Sequence, residues 1–318
     1  MSRLQSTLSR GYRYAREAGP ANALATGRRR FQSQVRIAQL RLIKRWSPVV
    51  AVDTKGLRIF VDTRDGGVAR QIVLHGPHEA DTIRAAVEVV EQLGASRLAS
   101  RDWVFLDIGA NIGTSIIQAI CHHGAAGGAA FEPHPGNVRL LRHNLLANDL
   151  ADRVSVVQCA VTDTCREVEL THSRENSGDH RVKTDVPAFD RFGESCREVI
   201  RVPGLSLDSQ VDEGLFDIDR VGLVSIDTQG HEGHVLDGAS QLCASDVPVM
   251  LEYWPYGLRA AGGHDLVHKI VGDSFVRYVD LARPSHGSGL VSHPVKDLRL
   301  LDEHLGEIGW ADILLLSE

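Results

Sequence analysis

The sequence predicts an α/β protein: a mainly parallel sheet with helices on both faces. Three observations predict it. From residue 103 onward, short apolar runs alternate with longer stretches of helical spacing; glycines follow the first run; and an acidic residue falls at the end of four runs, Asp107, Glu132, Asp227 and Glu252. Strands alternating with helices build βαβ units whose crossovers cover both faces of the sheet. Ligands of such sheets bind beyond the carboxyl ends of the strands, where these four acids lie.

The chain has 318 residues, and its charge is unevenly spread. Residues 1–47 hold eleven Lys or Arg and one acid, Glu17, so this leader is +10; the remaining 271 residues, with 24 basic and 40 acidic, are −16. Glycines at 11, 19 and 27 point to a loosely ordered start. Phe31, Val35, Ala38, Leu42 and Trp46, at three- and four-residue spacing, mark a helix. The leader is therefore expected to be partly disordered or helical.

Runs 49–52 and 57–61, separated by Asp53-Thr54-Lys55-Gly56, read as a β-hairpin, and 81–93, closed by Gly94, as a helix. Residues 48–98 are expected to pack on a catalytic domain at 99–318. In that domain strands are expected at 103–106, 129–131, 154–157, 222–226, 247–251, 275–279 and 313–316. Helices are expected at 114–122, 136–148, 232–244, 264–272 and 296–306. Residues 164–204 are polar and read as an irregular insertion.

Composition excludes several classes. A body this acidic is a poor nucleic-acid binder, because phosphate neutralisation needs a basic surface. No stretch approaches the ~20 apolar residues of a membrane span. The first twenty residues lack a secretory h-region, and five cysteines without a C-x-x-C pair fit free thiols in a reducing compartment. A cytoplasmic protein is the expectation. The basic leader suits a weak contact with an anionic membrane surface. Nothing in the sequence sets the oligomeric state.

The chemistry starts at Asp107-Ile108-Gly109-Ala110-Asn111-Ile112-Gly113-Thr114. Glycines after a strand let the backbone bend and approach a ligand, with the next helix offering free N–H groups. A dinucleotide fingerprint would read G-x-G-x-x-G, and Asp107 would repel its pyrophosphate. A carboxylate there suits a cationic amino group, while Glu132, nineteen residues beyond Gly113, can take both hydroxyls of a ribose. An amino acid joined to a ribose without a diphosphate describes S-adenosylmethionine.

These residues carry a resemblance. VFLDIGANIG at 104–113, FEPHP at 131–135 with Asn144-Leu145 and Asn148, LSLDS at 205–209, SIDTQGHE at 225–232 with Val235-Leu236-Asp237-Gly238-Ala239, and Leu251-Glu252 stand in the order of the FkbM-type methyltransferases. The likeness runs from about Phe60, through Gly76-Pro77-His78-Glu79, to Glu252, and omits the leader. It implies a class I, Rossmann-like fold and methyl transfer from S-adenosylmethionine to a hydroxyl of a sugar, glycolipid or secondary metabolite. It maps Asp107, Gly109, Asn111, Gly113 and Glu132 to cofactor binding, and Asp227 and Glu232 to the motif beside the transferred methyl; Glu79, Ala110, Pro133, Cys159 and Ala160 are further candidates for the cofactor site, Cys159 being otherwise a small buried thiol. Many relatives have Val-Glu-Gly where this chain has Thr228-Gln229-Gly230, which leaves the proton's destination open.

A sulfonium methyl is already electrophilic, so the protein must align the acceptor oxygen and remove its proton. Asp227, Glu232 and His180 are the candidate catalytic residues, with His231 and Glu252 as further base candidates. His231-Glu232-x-His234 lacks the four-residue spacing of H-E-x-x-H, and no metal is expected. Two alternatives remain: a non-catalytic module that binds S-adenosylmethionine, and an NAD-linked oxidoreductase, which Asp107 opposes.

Overall fold

The computed structural model describes residues 35–317 apart from 36, 41, 78, 95, 185–189 and 282–290. The leader up to residue 34, including Phe31, lies outside the described residues. Of the expected leader helix, residues 37–40 are helical, and Leu42 and Trp46 are exposed.

The centre is an eight-stranded sheet. Its strands are β3 (Val104–Ile108), β4 (Gly127–Phe131), β5 (Val154–Val157), β10 (Val221–Ile226), β11 (Val249–Tyr253), β12 (Arg277–Asp280), β13 (Ser292–Pro294) and β14 (Ala311–Leu316), in the order β13-β12-β14-β11-β10-β3-β4-β5. β5, β4, β3, β10 and β11 are mutually parallel, while β14 pairs antiparallel with both β11 and β12. The chain winds outward from β3 to β5, then returns to place β10 on the other side of β3. The order reverses between β3 and β10, and the carboxyl ends there form the crevice that binds ligands in such sheets.

Burial explains these strands. β3 reads VFLDI and β10 VGLVSI, near-continuous apolar runs suited to strands covered on both faces. One apolar cluster joins Phe105, Leu223 and Met250 to the helices Glu79–Gln92 and Thr114–His123, and a second joins Leu106, Val224 and Leu251 to the helices Glu232–Asp237 and His264–Ser274. The hairpin β1 (Val49–Thr54) and β2 (Leu57–Asp62) forms as expected. Buried Asn144 ties it down: its side chain accepts from Phe60 N at 2.7 Å and donates to Phe60 O at 3.2 Å and Ile112 O at 2.8 Å.

Two expectations are corrected. Residues 164–204 are not irregular: β6 (Ala160–Val161), β7 (Arg166–His172), β8 (Arg181–Val182) and β9 (Glu198–Leu205) form a second sheet in the order β6-β9-β7-β8. β7 and β9 pair antiparallel from Arg166–Gly204 to His172–Glu198 around a small core of Val168, Leu170 and Val202. The helix expected over 232–244 is two, Glu232–Asp237 and Ser240–Cys243. At the break a Cβ on Gly238 would stand 2.2 Å from Thr162 O, and the Asp208 carboxylate accepts from Ser240 N at 2.9 Å and Gln241 N at 3.0 Å. Close approach and a new N-terminal cap end one helix and start the next. The helices Val68–His75 and Pro255–Ala260 were not anticipated.

Candidate active site

The turn after β3 bends under a tight constraint. Gly109 has φ +86°, and a Cβ on it would lie 1.7 Å from Asp227 O. Asp227 N donates to Ile108 O at 2.9 Å, so the ends of β3 and β10 are laced together at the switch point. Asn111 is also left-handed, φ +51°. Its Nδ2 donates to Ser177 O at 3.3 Å, and its buried Oδ1 has no partner.

Around this turn stand carboxylates. Asp107 is buried, accepts from Ile116 N at 3.1 Å, and is pushed up to about 8 by burial and then by Glu79, Asp227 and Glu132. Glu132 accepts from Asn111 N at 2.9 Å, His134 N at 2.8 Å and Asn137 Nδ2 at 3.3 Å; burial outweighs those bonds and lifts it to about 7. Glu79 accepts from Thr114 Oγ1 at 3.2 Å. Gln229, left-handed at φ +56°, donates from Nε2 to Asp227 Oδ1 at 2.7 Å and Glu252 Oε2 at 2.9 Å. Burial, then Asp227, Glu232 and Asp312, pushes Glu252 well above the usual carboxylate range. No Lys or Arg pairs with Asp107, Glu132, Glu232 or Glu252 among the described residues.

The second sheet closes the cavity from the other side with Leu170, Ser177, Gly178, His180 and Val182. Its 175–178 turn is clamped. Ser177 O also accepts from Asn137 Nδ2 at 3.0 Å, Ser177 Oγ donates to Asp65 Oδ2 at 2.8 Å, and Gly66 N donates to Glu175 O at 2.8 Å.

Of the expected residues, Glu79, Asp107, Gly109, Ala110, Asn111, Glu132, Pro133, Cys159, Ala160, Asp227 and His180 line this one cavity, and Gly113 and Glu232 do not. Glu232 turns into its own loop, where Oε1 accepts from Thr228 N at 2.9 Å, Thr228 Oγ1 at 3.0 Å and Gly230 N at 3.1 Å; burial raises it to about 7. Its position is that of a brace for the 227–232 turn, not of a group facing substrate. His180 reaches the cavity, but Nδ1 accepts from Ser173 N at 3.1 Å, so its one lone pair is used. Burial also lowers it to about 3, and a base role for His180 is withdrawn on both grounds. Cys159 is a buried thiol that burial pushes up to about 12.

The sequence reading missed Asn137, Ser177, Thr82, Met250, Trp310 and Asp312, which also line the cavity. Asn137 carried a signal, being five residues after Glu132 in the next helix's first turn. Trp310 and Asp312 carried none, because only the antiparallel return of β14 brings them here.

Comparison with known proteins agrees with this geometry. Residues 107–259 match the Methyltransferase FkbM domain. The protein described as methyltransferase sdnD of Sordaria araneosa is 28% identical over 178 residues, 48% of this chain and 68% of that protein. The crystal structure of methyltransferase FkbM from Methylobacillus flagellatus KT overlays 79% of this chain and 56% of its own at TM-score 0.40 and 13% identity. TYW2 of P. horikoshii in complex with MeSAdo overlays 85% and 72% at TM-score 0.39 and 11% identity. The overlays are loose and carry no argument; the likeness rests on the domain match, in which residues 107–259 are similar to the FkbM methyltransferase domain.

Proposed function

We propose that the chain transfers a methyl group from S-adenosylmethionine to a hydroxyl oxygen of a small molecule or glycan. The observation that carries this reading is the rim formed by buried Asp107 and Glu132 and half-buried Glu252, none of them paired with a Lys or Arg among the described residues. Burying carboxylates is costly unless a cation arrives. S-adenosylmethionine carries two, an ammonium and a sulfonium, whereas the diphosphate of NAD would add negative charge.

The chain's own groups fit that ligand. Gly109 lines the cavity where β3 meets the Asp227 backbone too closely for any side chain, and Asn111 Oδ1 is an orphaned acceptor of a residue in the cavity wall. Asp107 suits the ammonium, and Glu132, already aimed by Asn111 N and His134 N, keeps lone pairs for ribose hydroxyls. When bound, the sulfonium supplies an electrophilic methyl carbon. Asp227, exposed at the end of β10 and held by Gln229, is placed to orient an incoming hydroxyl. The inserted sheet covers the cavity, which excludes water from a methyl donor.

Calorimetry with S-adenosylmethionine, S-adenosylhomocysteine and NAD tests the reading. Micromolar affinity for the first two and none for NAD is expected; tight NAD binding with no response to the sulfonium ligand overturns it.

A further inference from the structure

The helix that precedes the hairpin turns one apolar face to water. Residue 35, residues 37–40 and residues 42–43 are helical, and Lys44 N bonds back to Leu40 O at 2.9 Å. With about 3.6 residues per turn, Val35, Ala38 and Leu42 fall within about 60° of one another around the axis. Trp46 follows after a tightened turn, its N donating to Ile43 O at 2.8 Å. All four are exposed, Leu42 at 61% and Trp46 at 85%. Leu40, on the far side, and Ile43 line a cleft with Val50, Val52 and Val73. One apolar face therefore meets the hairpin, and the row expected from the sequence to be the packed face is left outside. Large apolar side chains exposed in a row, rather than singly, mark an interaction surface.

The charge around the row says what covers it. Lys44 and Arg45 are exposed beside it, and residues 1–47 hold eleven basic residues against one acid in a chain whose remainder is −16. The partner must be anionic and must also take up apolar side chains. Nucleic acid meets only the first demand: phosphates would meet the basic residues while Leu42 and Trp46 stayed in water. A second copy docked row to row would set two leaders of +10 side by side, where like charges repel. A bilayer with anionic headgroups meets both demands. Basic side chains lie among its headgroups, an apolar helix face sinks to the acyl boundary, and tryptophan favours that interface.

We propose that Val35, Ala38, Leu42 and Trp46 form a docking face for an anionic phospholipid surface, with Lys44 and Arg45 against the headgroups. Each basic residue near such a surface strengthens binding about fivefold. Salt screens that part, whereas the apolar row adds a part that salt does not screen. None of the four lines the cofactor cavity, so the proposal stands apart from the methyl-transfer reading.

The test is co-sedimentation of the full chain with vesicles of phosphatidylcholine alone and of phosphatidylcholine and phosphatidylserine in equal amounts. The wild type should bind the mixed vesicles, bind phosphatidylcholine at least about tenfold more weakly, and lose affinity for the mixed vesicles as salt rises. The double variant Leu42→Ser, Trp46→Ser changes only exposed positions. It should melt with the wild type and bind the mixed vesicles at least about tenfold more weakly. Lys44→Gln with Arg45→Gln should weaken binding about 10–30-fold. Tryptophan emission should move to the blue when the wild type meets the mixed vesicles, and should stay in place in Trp46→Ser. Equal binding to both vesicle types, or to neither, overturns the proposal, as does a Leu42, Trp46 variant that binds like the wild type. A blue shift that persists in Trp46→Ser overturns the place given to Trp46. A wild-type dimer in analytical ultracentrifugation that the double variant dissolves would assign the row to a second copy of the chain and overturn the lipid assignment.

Discussion

The two sheets face each other across the cavity and treat charge in opposite ways. On the parallel sheet buried Asp107 and Glu132 and half-buried Glu252 are raised above their ordinary range and matched by no Lys or Arg among the described residues. On the inserted sheet the cations have partners: Arg181 and Arg197 share Asp179, Lys183 meets Glu169, and Arg174 meets Glu198. The inserted sheet is electrostatically complete as it stands. The parallel sheet is complete only with a cation from outside. A binding rim of this kind stores its free energy as an unmet demand, and a cover does not.

The most damaging way to break the contrast is Gly109→Ala. The new Cβ would collide with Asp227 O at a position whose φ of +86° already disfavours a side chain, so the β3 and β10 ends must part. Binding of S-adenosylhomocysteine should fall below detection by calorimetry. Retained affinity would mean that the turn tolerates a different path.

On the covering sheet the corresponding change is Asp179→Ala. It leaves two largely buried guanidiniums without their shared carboxylate, and breaking a buried pair from one side typically costs about 3–5 kcal/mol. Chemical denaturation should show that loss, while cofactor affinity of the protein still folded should move by less than about threefold. A larger loss of affinity than of stability would show that the cover also binds cofactor directly.

Asp107→Asn comes next and works through pH. A carboxyl raised from 3.8 to about 8 in the fold binds its proton more tightly folded than unfolded. Its favourable contribution is present at low pH and is lost as pH climbs toward 8. The ligand-free wild type should therefore melt at progressively lower temperature between pH 5 and about 8, and added S-adenosylmethionine should flatten that slope. The asparagine variant should be the more stable protein at pH 8 yet bind the cofactor about 10–100-fold more weakly, the loss expected for a charge-assisted bond. Equal melting of the two proteins at pH 8 would contradict the buried, uncompensated state of Asp107.

How far each region was legible follows from the same difference. The parallel strands are short, mostly apolar runs, four of them ending at or beside an acid, and local spacing finds them: 154–157 is expected and found, and 129–131 grows only to Gly127–Phe131. The inserted sheet escapes because its strands are polar on one or both faces. Arg166, Glu167, Glu169 and Thr171 of β7 read as loop until Gly204, Pro203, Arg201 and Val199 of β9 pair with them, in that order, some thirty to forty residues later. At the site, Asp107 and Glu132 were readable from chain position. The bond between His231 Nε2 and Thr162 Oγ1 was not, because Thr162 lies some seventy residues away in sequence and only the fold brings the two together. The resemblance placed Glu232 beside the transferred methyl, and only its bonds to Thr228 and Gly230 show that it faces the loop.

That last residue gives the smallest expected effect and the finest test of the contrast. Glu232 Oε1 collects three donors, while Oε2 is buried without a partner. Glutamine can keep the three bonds through its single oxygen, but its amide then places two N–H groups where Oε2 stood. Burial raises Glu232 from 4.5 to about 7, so the protonated carboxyl, itself a donor on one oxygen, predominates in the fold below that pH. Glu232→Gln should therefore change the melting temperature least near pH 4, where folded and unfolded carboxyls both largely hold the proton. Between pH 4.5 and about 7 the unfolded chain ionises while the buried carboxyl, next to Asp227, still holds its proton, a cost the amide does not carry. The sign follows directly: a raised acid loses stability from its unfolded value up to its folded value and is level above it, so the variant should become the more stable protein by pH 8. Thermal melts of both proteins across pH 4–8 in the absence of cofactor should cross once. A variant less stable by a constant amount over that range would mean that the Thr228 and Gly230 bonds need a full negative charge, and would return Glu232 to the group of carboxylates that wait for a cation.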